Sequence, residues 1–169
     1  MKKIIIVILA LLVGLVLIAR FTVLASYVAS SSAMRDTMKP GDVFFVNKLA
    51  YVFSSPVRGD IVLFNAPVGG KDVKRIIGIP GDVVVIKDGH VSLRNNGADT
   101  LLDEPYLNPQ NQGHTFKNMA QDTSEAIFTV PAGAYFILGD NRMASMDSRS
   151  YQTSPFIMAD TLIGKVLFH

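Results

Sequence analysis

The sequence predicts an all-β domain of β-barrel or folded-sheet type, carried behind one N-terminal transmembrane helix. Three observations carry that prediction. An unbroken apolar run, residues 4–19, opens the chain between Lys2, Lys3 and Arg20. Beyond it no long stretch repeats at helical spacing. Short apolar runs of strand length follow instead, each bounded by turn-forming residues.

At 1.5 Å per residue the first run spans roughly 24 Å, against a hydrocarbon core of ~30 Å. Snorkelling by Lys3 and Arg20, with the mostly apolar FTVLASYV of residues 21–28, makes up the difference. Lysines ahead of the span place the N-terminus in the cytoplasm and the rest outside. The expected layout is a single-pass protein of the plasma (inner) membrane. Residues 1–28 form its cytoplasmic tip and anchor, and residues 29–169 the extracytoplasmic domain. A cleaved secretory signal is the rival, with a cut near the small residues Ala25 and Ala29.

Strands are expected at 43–47, 61–65, 73–79, 83–86, 91–93, 127–130, 135–138 and 162–168. Pro40-Gly41, Gly69-Gly70, Pro80-Gly81, Asp88-Gly89 and Pro131-Ala132-Gly133 punctuate them. VVVIKDGHVSL reads as a hairpin, because Asp88-Gly89 supplies the positive-φ residues of a tight turn. Strands this close, without helices between them, argue a closed or folded sheet. Residues 95–125 are polar and rich in Asn and Gln, an excursion from that sheet.

A chain of 169 residues holds one domain plus an appendage. Its charge is nearly balanced, with 16 Lys and Arg against 14 Asp and Glu and no basic stripe, so no nucleic-acid partner is expected. With no cysteine, a thiol nucleophile and a disulfide frame are both excluded. His90, His114 and His169 share no ligand spacing, so neither a metal nor a cofactor is expected.

Four boxes occur in order. They are Ala33-Met34-Arg35-Asp36-Thr37 running into Gly41-Asp42; Arg58-Gly59-Asp60-Ile61-Val62; Lys74-Arg75-Ile76-Ile77-Gly78-Ile79-Pro80-Gly81-Asp82; and Gly139-Asp140-Asn141-Arg142 followed by Ser145-Met146-Asp147-Ser148-Arg149. This series resembles the bacterial type I signal peptidases, membrane-anchored endopeptidases that remove signal peptides from exported preproteins. The resemblance implies a signal-peptidase-like β fold and a retained anchor. It also implies serine–lysine chemistry, in which a serine hydroxyl attacks the scissile carbonyl and a lysine amine takes its proton.

A free lysine amine titrates near ~10.4, so a lysine can be that base only where burial beside apolar groups favours its neutral form. By resemblance the base is Lys74, inside the apolar run VKRIIGI. Ser145 falls where a hydroxyl orients the base. Asp147 and Arg149 fall on a structural ion pair, with Arg75 and Asp140 in support. Met143-Ala144 replaces the usual Asp-Asn pair, and Gln152 stands where glycine is common and could crowd a close backbone approach.

The nucleophile box departs furthest. In the family's gapless S-M-x-P-T-L-x-x-G-D the serine lies eight positions before the glycine, and eight before Gly41 is Ala33. Met34 and Thr37 keep their places, while Asp36 replaces the proline and Met38 the leucine. Ser31 then falls where a hydroxyl serves the oxyanion hole beside the N–H of residue 33. Three readings stay open: a non-catalytic relative, a chain whose nucleophile was removed, or one extra loop residue that makes Ser32 the nucleophile.

By resemblance a preprotein signal peptide binds as an added strand, its small residues entering shallow pockets lined by Val73 and Ala29. The other expected partners are the lipid bilayer, near Tyr27, Phe44, Phe45, Tyr51, Val52 and Phe53, and the secretion machinery or an active paralogue. A self-cleaving repressor shares Ser–Lys chemistry on a related β fold. The N-terminal apolar run, and the lack of any DNA-binding portion, argue against it.

Overall fold

The structure, a computed structural model, describes residues 2–117 and 121–168. Helix α1, Lys2–Val23, leads directly into β1, Leu24–Val28. The sheet strands that follow are β2 (Val43–Asn47), β3 (Ile61–Asn65), β4 (Lys71–Gly78), β5 (Val83–Lys87), β6 (His90–Asn95) and β7 (Ala98–Leu101). After a long connection come β8 (Ala126–Thr129), β9 (Ala134–Leu138), β10 (Ile157–Met158) and β11 (Leu162–Phe168). The fold beyond α1 is mostly β, as the strand-length runs and their turns predict.

Seven strands form one antiparallel sheet in the order β1-β2-β11-β3-β4-β9-β10, and four form a second in the order β7-β6-β5-β8. The hairpin of β5 and β6 turns on Asp88 and Gly89, at φ of 49° and 79°. Alternation along β3 divides the core. Val62 and Phe64 pack with Ile76, Tyr135 and Ile137 on one face. Leu63 faces the other way, into Met34, Met38, Phe44 and Val46. A third cluster joins the sheets, setting Ile77, Phe136 and Leu138 against Val84, Ile86 and Val91.

Two expectations are corrected, the C-terminal bound of the anchor segment and the extent of the lipid-facing group. Leu24–Val28, assigned from sequence to the anchor, is a sheet strand in register with β2 from Leu24↔Asn47 to Val28↔Val43. Among the described residues, no helix is long and apolar enough to cross a membrane. Helix α1 runs Lys2–Val23, and the side chains of residues 15–22 in the expected span lie outside the described residues. The lipid-facing group is also smaller than expected: Phe44 is core and Tyr51 half-buried, whereas Val52 and Phe53 are 60% and 91% exposed.

Candidate active site

Three segments far apart in sequence meet at the end of β4. Lys74 lies opposite Val62 of β3 and is 1% exposed. Its Nζ donates to Asp72 Oδ2. The two residues stand two apart on one strand and so share a face. Asp72 was not singled out from sequence; that spacing was its only signal.

The second segment is the turn between β1 and β2. Arg35 N–H donates to Ser32 O at 3.1 Å, and the N–H groups of Thr37 and Met38 donate to Met34 O at 2.9 and 2.6 Å. Buried Met34 and Met38 anchor this turn in the core. Ala33 is 5% exposed, and its carbonyl accepts from Asn141 N–H at 2.9 Å. The Asn141 Nδ2 donates to Ser32 O at 2.9 Å. Exposed Ser31 accepts from Ala33 N–H at 3.4 Å, so the two groups expected to flank an oxyanion face each other across a long hydrogen bond.

The third segment is the box after β9. Gly139 packs so closely that a Cβ there would lie 2.5 Å from Ala33 O and would strike Ser145 Oγ. Ser145 is therefore a neighbour of residue 33. Among the described residues its buried Oγ has no hydrogen-bond partner, and it lies beside the Asp147 carboxylate. Gly139→Ala is expected to spread residue 33 from Ser145 and to destabilise the fold by about 1–3 kcal/mol, read as a lower urea midpoint.

Asp147 is fully buried and is held by Arg149 Nε and Nη2 at 2.8 Å each, and by Gly139 N–H at 3.0 Å. Burial alone would raise its pKa. The Arg149 charge and these hydrogen bonds outweigh that and hold the carboxyl below the usual range. Asp140 takes Arg75 Nε and Nη2 at 2.9 and 2.7 Å and also accepts from the Thr37 hydroxyl, while its N–H meets Met34 Sδ. Both pairs brace the loops around position 33.

Ser31, Ser32, Ala33, Asp72, Lys74 and Ala144 line one open cleft of about 280 Å³. Beside it a more apolar pocket of about 190 Å³ is lined by Ala29, Val73, Tyr27, Met34, Phe44 and Leu63. Lys71 and Asp72 border both, with the Lys71 Nζ 5.2 Å over the Tyr27 ring. Gln152 is exposed and crowds nothing near the site, contrary to the concern its position raised. Among the described residues no group of three or more His, Cys, Asp or Glu is placed to hold a metal.

The excursion is bound to the site more tightly than its polarity suggested. Buried Arg142 holds Glu104 through two charge-assisted bonds, and Tyr106 lies under Arg75 at 3.8 Å. Neither residue stood out in sequence.

A buried strand lysine and a facing turn thus border one open cleft on a mostly β fold, with a more apolar pocket beside it. The family model for signal peptidase, peptidase S26, matches residues 2–169. Signal peptidase I of Bacillus caldolyticus is 35% identical over 153 residues, covering 88% of this chain and 80% of its own length. Signal peptidase IB of Staphylococcus aureus (strain Mu50) is 34% identical over 162 residues, covering 91% and 81%. The crystal structure of a signal peptidase I from Enterococcus faecalis V583 superimposes with a TM-score of 0.51 at 32% identity, covering 68% of this chain and 97% of that one. The chain belongs to the type I signal peptidases of the S26 peptidase family.

Proposed function

We propose that the chain binds the signal-peptide segment of exported preproteins in this cleft, with the serine–lysine site complete except for the attacking hydroxyl. One observation carries the reading: Ala33 and Lys74, from distant segments, line a single cleft, and buried Ser145 lies behind residue 33 across Gly139. The apolar pocket beside it, bordered by Ala29 and Val73, fits small side chains such as those of an Ala-x-Ala site. Edge pairing of an extended peptide would supply affinity, and pocket depth the selectivity. A chain that binds without cutting would act as an accessory to an active paralogue or to the secretion machinery.

In the same proposal α1 anchors the protein in the plasma (inner) membrane. Lys2 and Lys3 lie on the cytoplasmic side, and exposed Val52 and Phe53 meet the outer lipid face. A sheet that begins at Leu24, directly after α1, is consistent with a cleft near that face. A second reading, with Ser32 as nucleophile, rests on its position in the cleft beside Lys74. Against it, the Ser32 carbonyl is fixed by Asn141 in the same turn that sets residue 33.

The binding test is a labelled signal peptide with an Ala-x-Ala site, titrated against the detergent-solubilised chain. Saturable binding of an uncut peptide is expected, weakened about tenfold or more when phenylalanine replaces the two alanines, since overfilling a packed pocket costs about 1–3 kcal/mol. Equal affinity for both peptides would remove the pocket from the proposal.

Asp72 sets a further expectation. Lys74 Nζ is turned to the Asp72 carboxylate, a contact that competes with its approach to a hydroxyl at position 33. In an Ala33→Ser background, Asp72→Asn is expected to raise cleavage at neutral pH by about tenfold, a part of the roughly 10²–10⁴-fold that a general base contributes in full. A fall in rate would instead make Asp72 a needed support for the lysine.

A further inference from the structure

We infer that Asp36, through Asn108 and Asn111, is the positioning residue that holds the turn bearing residue 33 in place of the family's proline. The inference deepens the proposed function, because it concerns how that same site is held. The Asp36 carboxylate accepts from Asn108 N–H and Asn108 Nδ2 at 2.8 Å each, and both of its oxygens lie 2.9 Å from Asn111 Nδ2. Asn108 Oδ1 in turn accepts from Gln110 and Asn111 N–H at 2.9 and 3.0 Å, which shapes the excursion loop to present these donors. Asn111 is 4% exposed, and its Oδ1 accepts from Met143 N–H at 3.2 Å.

These bonds join three segments. The turn holding Ala33 is tied to the excursion at residue 36. The excursion is tied to the last box at Met143. That box grips Ala33 O and Ser32 O through Asn141. Residue 33 is thus held by Asn141, and Asp36 adds a tie from its turn to the excursion beside the one that Thr37 makes to Asp140.

Chemistry explains the exchange. A proline stiffens such a turn from within, by locking φ near −65° and removing a donor. A carboxylate leaves the backbone freer but accepts several hydrogen bonds at once, and charge-assisted bonds are the stronger kind. Asp36 therefore replaces internal stiffness with an external tie. Its partners lie in the polar segment of residues 95–125, which gains a role at the site. Met143 enters the network through its backbone N–H alone.

Two measurements test this. The first needs no catalysis: hydrogen exchange on the full-length chain as it stands and on its Asp36→Ala form. The N–H groups of Arg35, Thr37 and Met38 should exchange about tenfold faster in the variant, while those of β4 and β9 keep their protection. Unchanged turn amides, or equal acceleration everywhere, would overturn the inference.

The second uses Ala33→Ser as parent. Asp36→Ala should lower kcat by up to about 100-fold, the usual scale for a misplaced reacting group, and leave KM unchanged. Asp36→Pro should restore kcat. A loss confined to KM, or no recovery with proline, would overturn the inference. If Ala33→Ser cuts nothing, the proposed function fails, and the exchange measurement still decides the role of Asp36.

Discussion

Ala33→Ser is expected to cut a preprotein after its Ala-x-Ala site, at a rate on the order of a million-fold above the chain as it stands. That magnitude is the generic worth of a nucleophile, and the surroundings of residue 33 explain why one substitution is expected to supply it. The turn is already fixed, by Asn141 on its carbonyls and by buried Met34 and Met38 beneath. Lys74 lines the same cleft, and Ser145 is a neighbour across Gly139. Ala33→Ser adds one oxygen to this setting. Its hydroxyl would attack the scissile carbonyl as its proton passes to the Lys74 amine. That proton would leave with the departing amine, and water would then release the acyl group from the serine. Lys74→Met in the same background should return the rate to that of the parent, with signal-peptide binding retained.

Asp147→Ala destabilises the fold by about 3–5 kcal/mol, because it leaves the buried Arg149 guanidinium without its carboxylate. For a domain of this size that lowers Tm by roughly ten degrees. The Gly139 N–H loses its acceptor too, and Gly139 is the point of closest approach between residue 33 and Ser145. The effect therefore reaches the site as well as the core. The pH dependence follows the same group. Its folded pKa lies below the unfolded carboxylate value of ~3.9, so its stabilisation is complete above that range. It is lost as pH falls through the depressed folded value. Asp147→Asn should remove this part of the acid-unfolding limb, which melting curves taken between about pH 2 and pH 6 would show.

The legibility of the chain divides along physical lines. Strands β2 and β3 have the bounds their alternating apolar residues and flanking turn formers set. Strand β1 was hidden because LASYV continues the apolar composition of the helix before it, and only pairing with β2 separates the two. Strand β7 is exposed along its whole length, and β10 has two residues, so neither carries an apolar pattern. At the site, residues inside the boxes could be named because each box fixes their spacing. Asp72 and Asn108 could not, nor could Asn111 and Glu104. The last three act through contacts 38 to 75 residues distant, where no local period reaches. The Asp36 substitution was visible as a departure, but its partners were not.

The most direct measurement is mass spectrometry of a preprotein incubated with the solubilised chain, with its Ala33→Ser form, and with Ser32→Ala. A site complete except for its hydroxyl predicts cleavage after the Ala-x-Ala site by Ala33→Ser alone. Cleavage by the chain as it stands, abolished by Ser32→Ala, would contradict it and make Ser32 the nucleophile; an Ala33→Ser form that binds the preprotein but never cuts it would contradict it too.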